Sequence, residues 1–100
     1  MSNKEFKRKF GDTAAGWRGK NIFKRNALIA IGNLGDIKAI EIVKSYLDDD
    51  SFMIRKYAAW AILRLDKEKG KQILDKHLLK EQNDEVKKEI MKLYKYFLMT

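Results

Sequence analysis

Two tryptophans and a surplus of lysine and arginine are the residues of this sequence best suited to chemistry with a ligand. Lys56, Trp60 and Arg64 follow one another at intervals of four residues, a spacing that places side chains on one face of an α-helix. An exposed indole between two cations can stack on a base or a ribose while the cations hold phosphates. The alanines on both sides of Trp60 favour the alternative, in which its ring packs against the next structural repeat.

A glycine-rich stretch near the start of the chain is the second candidate. Residues 11–20 contain three glycines, Trp17 and the cations Arg18 and Lys20, and they lack helical periodicity. We predict a tight, ordered loop here, because glycine allows a backbone to approach a phosphate closely. Trp17 would either fill the end of the helical core or stack on a ligand. The pattern matches neither a P-loop nor a dinucleotide-binding fingerprint.

Metal and redox chemistry lack the residue types that they need. The chain has no cysteine, which excludes disulfides, thiolate-bound zinc and cysteine-held iron–sulfur clusters within it. Its one histidine, His77, cannot build a histidine metal site alone, and we expect it at the rim of an amphipathic helix without a catalytic partner. We therefore predict no catalytic residues, no metal and no cofactor, and a chain that is not an enzyme on its own.

The charge balance points to a polyanionic partner. The formal net charge is +8, from 22 lysines and arginines against 14 acidic residues. Such an excess attracts polyanions, and nucleic acid is the first candidate among them. No segment approaches the ~18 consecutive apolar residues of a membrane-spanning helix, and the start lacks the apolar core of a signal peptide. We therefore expect no membrane partner and a cytoplasmic location.

The elements that must position these residues are helices. The chain is 100 residues long, enough for one domain, and it contains 45% hydrophobic residues and no proline. Ser51 and Asp84 are predicted N-caps, because each precedes a run with helical spacing. The spacing of the apolar residues predicts helices near residues 3–10, 20–34, 36–47, 52–65, 67–79 and 85–98.

An internal repeat of about 31 residues relates three of these helices. Five of the six aligned sets are apolar and follow one helical stripe, so each helix should bury the same face. We predict an all-α domain over residues 1–100, a short α-solenoid of about five to six helices, in which an N-terminal helix and glycine–tryptophan loop (1–19) precede the stacked helices (20–98). The aligned sets are Phe23, Ile54 and Val86; Lys24, Arg55 and Lys87; Ala27, Ala58 and Ile90; Ala30, Ala61 and Leu93; Ile31, Ile62 and Tyr94; and Leu34, Leu65 and Phe97.

The charge surplus falls on the three aligned helices. Helices 20–34, 52–65 and 85–98 carry formal charges of +3, +3 and +2, so the remainder of the chain is neutral. Helices that lie side by side would join these cations into one patch suited to a phosphate backbone. A second group of aligned residues points away from the apolar stripe: Arg25, Lys56 and Lys88; Ile29, Trp60 and Lys92; and Asn33, Arg64 and Tyr96.

Arg55 is the exception among the cations. The set that contains it borders the apolar stripe, where a long side chain can bury its stem and reach a carboxylate. We predict a structural role for Arg55, with the turn Asp48–Asp50 as its partner.

The glycine-rich stretch also carries a family resemblance. The run FGDTAAGWRGK at residues 10–20, followed by Arg25-Asn26-Ala27 and Ile31-Gly32-Asn33, resembles the C-terminal region of bacterial epoxyqueuosine reductases. The segments 54–55 and 58–62 resemble the HEAT-like repeats of that region. The resemblance covers nearly the whole chain. It implies a helical tail that helps to grip the anticodon arm of tRNA. In that family a cobalamin-dependent domain with two four-iron–four-sulfur clusters reduces epoxyqueuosine to queuosine.

This chain departs from the complete enzyme, because it contains none of the cluster-binding cysteines and no room for a corrin-binding domain. The resemblance therefore transfers a tRNA-binding role and not catalysis, at the matching positions Arg18, Lys20, Arg25 and Asn26 and, more weakly, Lys56. We predict a non-catalytic tRNA-binding domain of the queuosine pathway, with a separate catalytic domain or chain as a further partner. The alternatives are a HEAT-like protein–protein interaction scaffold and a duplex-DNA binder. The predicted nucleic-acid-binding residues are Trp17, Arg18, Lys20, Arg25, Asn26, Lys56, Trp60, Arg64, Lys88 and Lys92.

Overall fold

The computed structural model describes residues 14–99, with side chains from residue 19 onward, and this part of the chain contains five α-helices and no strand. The predicted all-α fold is therefore confirmed. The predicted helix over residues 3–10 lies outside the described residues. The α-helices are α1 (Ala14–Leu34), α2 (Ile40–Ser45), α3 (Phe52–Leu65), α4 (Lys67–Leu78) and α5 (Asp84–Leu98), and short 3-10 helices at Ile37–Ala39 and Tyr46–Asp48 flank α2.

The helices form two layers around α3. Helix α3 packs between α1 and α5 in one layer, and α2 and α4 cover it from the other. The connections between successive helices are short, so neighbours along the chain run antiparallel and α1, α3 and α5 run in the same direction. The central position of α3 explains its composition, since Ile54, Ala58, Ala61 and Ile62 have no solvent exposure. Alanine on the facing surfaces allows the helices to approach closely.

Local capping sets where the helices begin and end. Ser51 caps α3 as predicted, since its Oγ accepts a hydrogen bond from the Ile54 amide at 3.4 Å. The predicted cap Asp84 is wrong by one residue. Asn83 is the cap of α5, because its Oδ1 accepts hydrogen bonds from the amides of Glu85 and Val86 at 2.8 and 3.1 Å. Asparagine and aspartate cap about equally well, so adjacent candidates cannot be separated by residue type.

Helix α1 begins earlier than the sequence suggested. A loop was expected over residues 11–20, but the backbone is helical from Ala14, so that expectation is wrong for residues 14–20. A glycine inside a helix costs only about 1 kcal/mol, and the paired alanines at 14 and 15 favour helix. At its other end α1 stops at Gly35, which has a φ of +70° and donates its amide to the Ile31 carbonyl at 3.2 Å.

The apolar stripe is buried in α3 and α5 but not in α1. In α5 the aligned residues Val86 and Phe97 are at most 8% exposed, whereas their equivalents in α1, Phe23 and Leu34, are 64% and 82% exposed. The prediction of equal burial is therefore wrong for α1. The physical reason is the position of each helix in the stack. This face of α5 packs on α3 and α4, which precede it in the chain. The same face of α1 points away from α3, so α3 and α4 do not cover it.

Replacing Gly70 with alanine should destabilise the fold, although alanine is the better helix former. A Cβ at this position would lie 2.9 Å from Cγ2 of Ile62 and 3.1 Å from the Ile62 carbonyl oxygen. Overpacking of this kind costs about 1–3 kcal/mol. Alanine stabilises a helix by only about 1 kcal/mol relative to glycine, so the cost equals or exceeds the gain. Urea denaturation should show a lower free energy of unfolding for Gly70→Ala, and little change for Lys69→Ala at the exposed neighbouring position. A Gly70→Ala protein as stable as wild type would contradict the close contact of α3 with α4.

The open face of α1 makes a matched pair of substitutions informative. Leu34→Asp and Phe97→Asp place the same carboxylate at equivalent positions of α1 and α5. Phe97→Asp should lower the melting temperature strongly or prevent folding, because a charge would enter the core at a cost of several kcal/mol. Leu34→Asp should leave the melting temperature within a few degrees of wild type, as measured by circular dichroism. Equal losses in the two variants would show that the α1 face is covered.

Candidate nucleic-acid interface

Two of the aligned cations are engaged in holding the repeats together. Lys24 Nζ lies 2.7 Å from Asp49 Oδ1, and one repeat later Arg55 Nε lies 2.9 Å from Glu81 Oε1. Each pair joins an α1- or α3-type helix to the end of the helix that follows it in the second layer. Lys24 and Arg55, two of the three cations that border the apolar stripe, therefore help to hold the stacked helices together.

The second pair lies in a buried cluster at the end of α4. Arg55 Nη2 also donates to Glu81 Oε2 at 3.1 Å, and Arg55 Nη1 donates to the carbonyl oxygens of Asp49 and Asp50. The structural role of Arg55 is confirmed, but its carboxylate partner is Glu81, and the aspartate turn contributes backbone oxygens only. The sequence points to the aspartate turn because that turn is close to Arg55 along the chain. Glu81 is 26 residues away and approaches Arg55 only when the chain folds.

His77 belongs to the same cluster, so its expected place at a helix rim is wrong. It is 5% exposed, and its Nε2 lies 2.7 Å from Glu81 Oε1. Burial by itself raises the pKa of the Glu81 carboxyl. Hydrogen bonds from Arg55, His77 and the Asn83 amide outweigh this and hold that pKa at about 2. Both carboxylate oxygens of Glu81 are therefore hydrogen-bonded within the cluster, which favours the ionised form.

Other cations remain without an ion pair to any described carboxylate. Arg64, Lys88 and Lys92 are exposed, and Arg25 is partly exposed with its guanidinium 3.4 Å from Asn26 Oδ1. Lys56 falls between the paired and the unpaired cations, because its Nζ lies 3.7 Å from Glu85 Oε2 and 5.4 Å from the centre of the Phe52 ring. Lys20 lies apart from these residues, in a groove that it shares with Asp48, Asp49 and Asp50.

A groove of about 600 Å³ runs between the three equivalent helices. We call it the Trp60 groove. It brings together four members of the predicted outward-facing sets and Leu93 of the apolar stripe. Three further lining residues, Met53, Tyr57 and Glu89, are absent from the aligned sets. Tyr57 was missed because the repeat alignment followed two faces of α3 and Tyr57 lies between them, although its place three residues before Trp60 marks it. The groove is lined by Ile29, Asn33, Met53, Lys56, Tyr57, Trp60, Glu89 and Leu93.

Trp60 combines a packing role with a wall of this groove. Its six-membered ring lies against Gly32 of α1, so close that a Cβ there would be 2.6 Å from Cζ3. The packing alternative for Trp60 is thus confirmed, with the preceding repeat as the partner instead of the next one. The ring is only partly buried and also faces the groove. Trp17 and Arg18 lie in the first turns of α1, and their side chains are outside the described part.

The second layer carries a basic groove of its own, of about 720 Å³, which the sequence analysis did not anticipate. Lysines of α2 and α4 line it, among them Lys44, Lys69 and Lys76, together with Asp48 and Asp75. Both aspartates are paired, with Lys80 and Lys71 respectively at 2.7 Å. The alternation of charges makes this surface less suited to a continuous phosphate backbone than the layer of α1, α3 and α5.

None of the helices within residues 14–99 combines the length and the apolar character that crossing a membrane requires. Within the same range, no group of three or more histidine, aspartate or glutamate residues is placed to hold a metal ion.

Comparison with known proteins confirms the family resemblance. The family model for HEAT repeats matches residues 20–93. An uncharacterized protein in the gldA 3′ region of Geobacillus stearothermophilus is 45% identical over 93 residues, which are 92% of this chain and 43% of the relative. Epoxyqueuosine reductases of Bacillus subtilis and Staphylococcus aureus are 40% and 36% identical over 93 residues. The chain spans only about a quarter of those two relatives, 24% of each. No solved structure matches it significantly.

Acid should weaken the fold through Glu81. The pKa of its carboxyl is lowered from 4.5 to about 2, so its stabilising effect is complete above pH 4.5 and is lost as the pH falls towards 2. The free energy of unfolding, measured by urea denaturation at a series of pH values, should decrease across this window. Glu81→Gln should be less stable at pH 7 and should lose much of that decrease, whereas Glu68→Gln at an exposed position of α4 should keep it. A Glu81→Gln protein with the wild-type pH dependence would contradict the cluster.

Proposed function

Because the chain belongs to the HEAT-repeat family, we propose that it is a non-catalytic helical-repeat module that binds the backbone of tRNA. Residues Arg25, Lys56, Arg64, Lys88 and Lys92 would hold phosphates along the layer formed by α1, α3 and α5. Phosphate contacts position a nucleic acid without reading its sequence. A tRNA partner implies a cytoplasmic location and a place in tRNA modification.

The observation that carries this proposal is the division of the cations into two groups. Lys24 and Arg55 are held by Asp49 and Glu81 beside the core, whereas Arg64, Lys88 and Lys92 are exposed without a described carboxylate partner. Arg25 lies one helical turn before Ile29, and Arg64 one turn after Trp60, so both flank the Trp60 groove. Exposed cations that no described carboxylate engages, two of them flanking one groove, are the footprint expected for a polyanion.

The relatives suggest which polyanion. Several of them are named epoxyqueuosine reductase, and this chain corresponds to a region of about 24% of their length. We propose that the corresponding region contributes a grip on RNA, and that catalysis belongs to a separate domain or chain. Since no cysteine is present in this sequence, cluster chemistry would have to be supplied by that partner.

Salt dependence tests the proposal directly. A labelled tRNA anticodon stem-loop titrated with the protein should bind at low salt. With about five phosphate contacts, its affinity should fall roughly a hundredfold or more between about 50 and 200 mM salt. The measurement is fluorescence anisotropy, with duplex DNA of equal length as a competitor. Absence of binding at low salt would overturn the proposal, and equal affinity for the DNA would remove tRNA as the preferred ligand.

Charge substitutions at matched positions locate the surface. Arg25→Ala combined with Arg64→Ala should weaken binding to the stem-loop and reduce the salt slope by about two, because two phosphate contacts are lost. The control combines Lys67→Ala with Lys76→Ala, which removes the same charge from exposed positions of α4 in the other layer. The control should bind nearly as wild type, and both proteins should keep the wild-type melting temperature. Equal weakening in both would show that net charge, and not this surface, governs binding.

One observation favours a second candidate, a protein interaction scaffold. The face of α1 with Phe23 and Leu34 is apolar and exposed, and its equivalent in α5 is buried against the preceding helices. We propose a separate catalytic domain or chain as the partner for this face. Binding through apolar contacts would depend little on salt, so the salt titration separates the two candidates.

A further inference from the structure

We infer that the Trp60 groove receives an unpaired nucleobase of the bound RNA, while the cations on either side hold the adjoining phosphates. This inference rests on the proposed function, since it concerns the same layer of helices and the same ligand. It adds a second mode of contact to the electrostatic one. The chain would then prefer single-stranded or looped RNA over a continuous duplex.

The shape and lining of the groove fit a flat ring. Tyr57 and Trp60 supply aromatic surface, and Ile29, Met53 and Leu93 supply apolar surface. The volume of about 600 Å³ leaves room for a base to enter from the solvent side. Stacking of a base on an aromatic side chain contributes to affinity without requiring a particular base, since every base has a π-face.

Polar groups in the groove fit the edge of a base better than a phosphate. The side chains of Asn33, Tyr57 and Glu89 make no hydrogen bond with another described residue, so their polar atoms are available to a ligand. The Glu89 carboxylate would repel a phosphate but can accept a hydrogen bond from an exocyclic amino group. This combination favours a base within the groove and leaves the phosphates to Lys56 at its wall and to the cations outside it. Adenine, cytosine and guanine carry such an amino group and uracil does not.

The stacking surface is held in place before the ligand arrives. Trp60 is wedged against Gly32, so its ring has little freedom to lose on binding. A preorganised aromatic ring binds with a smaller entropic cost than a mobile one. Because base stacking can occur only if the base has left its own helix, the groove selects unpaired nucleotides.

The test compares three proteins with three RNAs of equal phosphate number. Wild type, Trp60→Phe and Trp60→Ala are titrated with single-stranded oligoadenylate, single-stranded oligouridylate and an RNA duplex, by fluorescence anisotropy at one salt concentration. Trp60→Ala should lose between about 5-fold and 100-fold in affinity for oligoadenylate and little for the duplex. Trp60→Phe, which keeps an aromatic face, should lose much less. Equal losses for single-stranded and duplex RNA would overturn the inference and assign Trp60 a structural role only.

Two further measurements keep Trp60 in place, so its packing on Gly32 is not disturbed. Trp17→Phe leaves Trp60 as the one tryptophan of the chain, and its fluorescence should be quenched by oligoadenylate but not by the duplex. Glu89→Ala should reduce the preference for oligoadenylate over oligouridylate without changing affinity for the duplex. Unquenched fluorescence with bound oligoadenylate would overturn the groove assignment while leaving RNA binding intact. Failure of wild type to bind any of the RNAs would overturn the proposed function as well.

Discussion

The burial of α3 between α1, α5 and the second layer is the constraint on which the rest of this structure depends. Ile54, Ala58, Ala61 and Ile62 have no contact with solvent, and the alanines allow the flanking helices to come close. Only when α1 and α5 are both seated on α3 do residues from three distant segments meet in the Trp60 groove. The contact of Trp60 with Gly32 is part of this packing, so the same ring supports the core and forms the candidate site.

Ion pairing divides the positive charge of the chain into two parts with different physical roles. Lys24 and Arg55 take equivalent positions in successive repeats, and each reaches the carboxylate at the end of the next helix. Both pairs are hydrogen-bonded and partly shielded from solvent, and they link helices of the two layers. Glu81 is the most buried member, so separating it from Arg55 would leave an unpaired charge beside the core. The cations that lie one residue further along, Arg25 and Lys56, point away from the stripe. A shift of one position on a helix therefore separates a cation paired beside the core from one that faces away from it.

The two ends of the stack differ in character. Helix α5 exposes Lys88, Lys92 and Lys95 together with Met91 and Tyr96. The first helix exposes Phe23 and Leu34 at 64% and 82%. The exposed surface of α1 is therefore apolar at these positions, whereas that of α5 mixes lysines with apolar side chains.

Local signals in the sequence determined the helical fold, the boundaries of most helices, the Ser51 cap and the repeat that relates α1, α3 and α5, since apolar spacing and capping depend on neighbouring residues. The same signals placed Ile29, Asn33, Lys56 and Trp60 on an outward-facing surface, and they selected Lys56 and Trp60 as candidate binding residues. Tertiary structure decided what depends on contacts between distant segments: the pairing of Arg55 with Glu81, the burial of His77, the exposure of the α1 stripe and the entry of Glu89 into the groove. The physical reason is that a helical pattern specifies which residues share a face, and only packing specifies what that face meets.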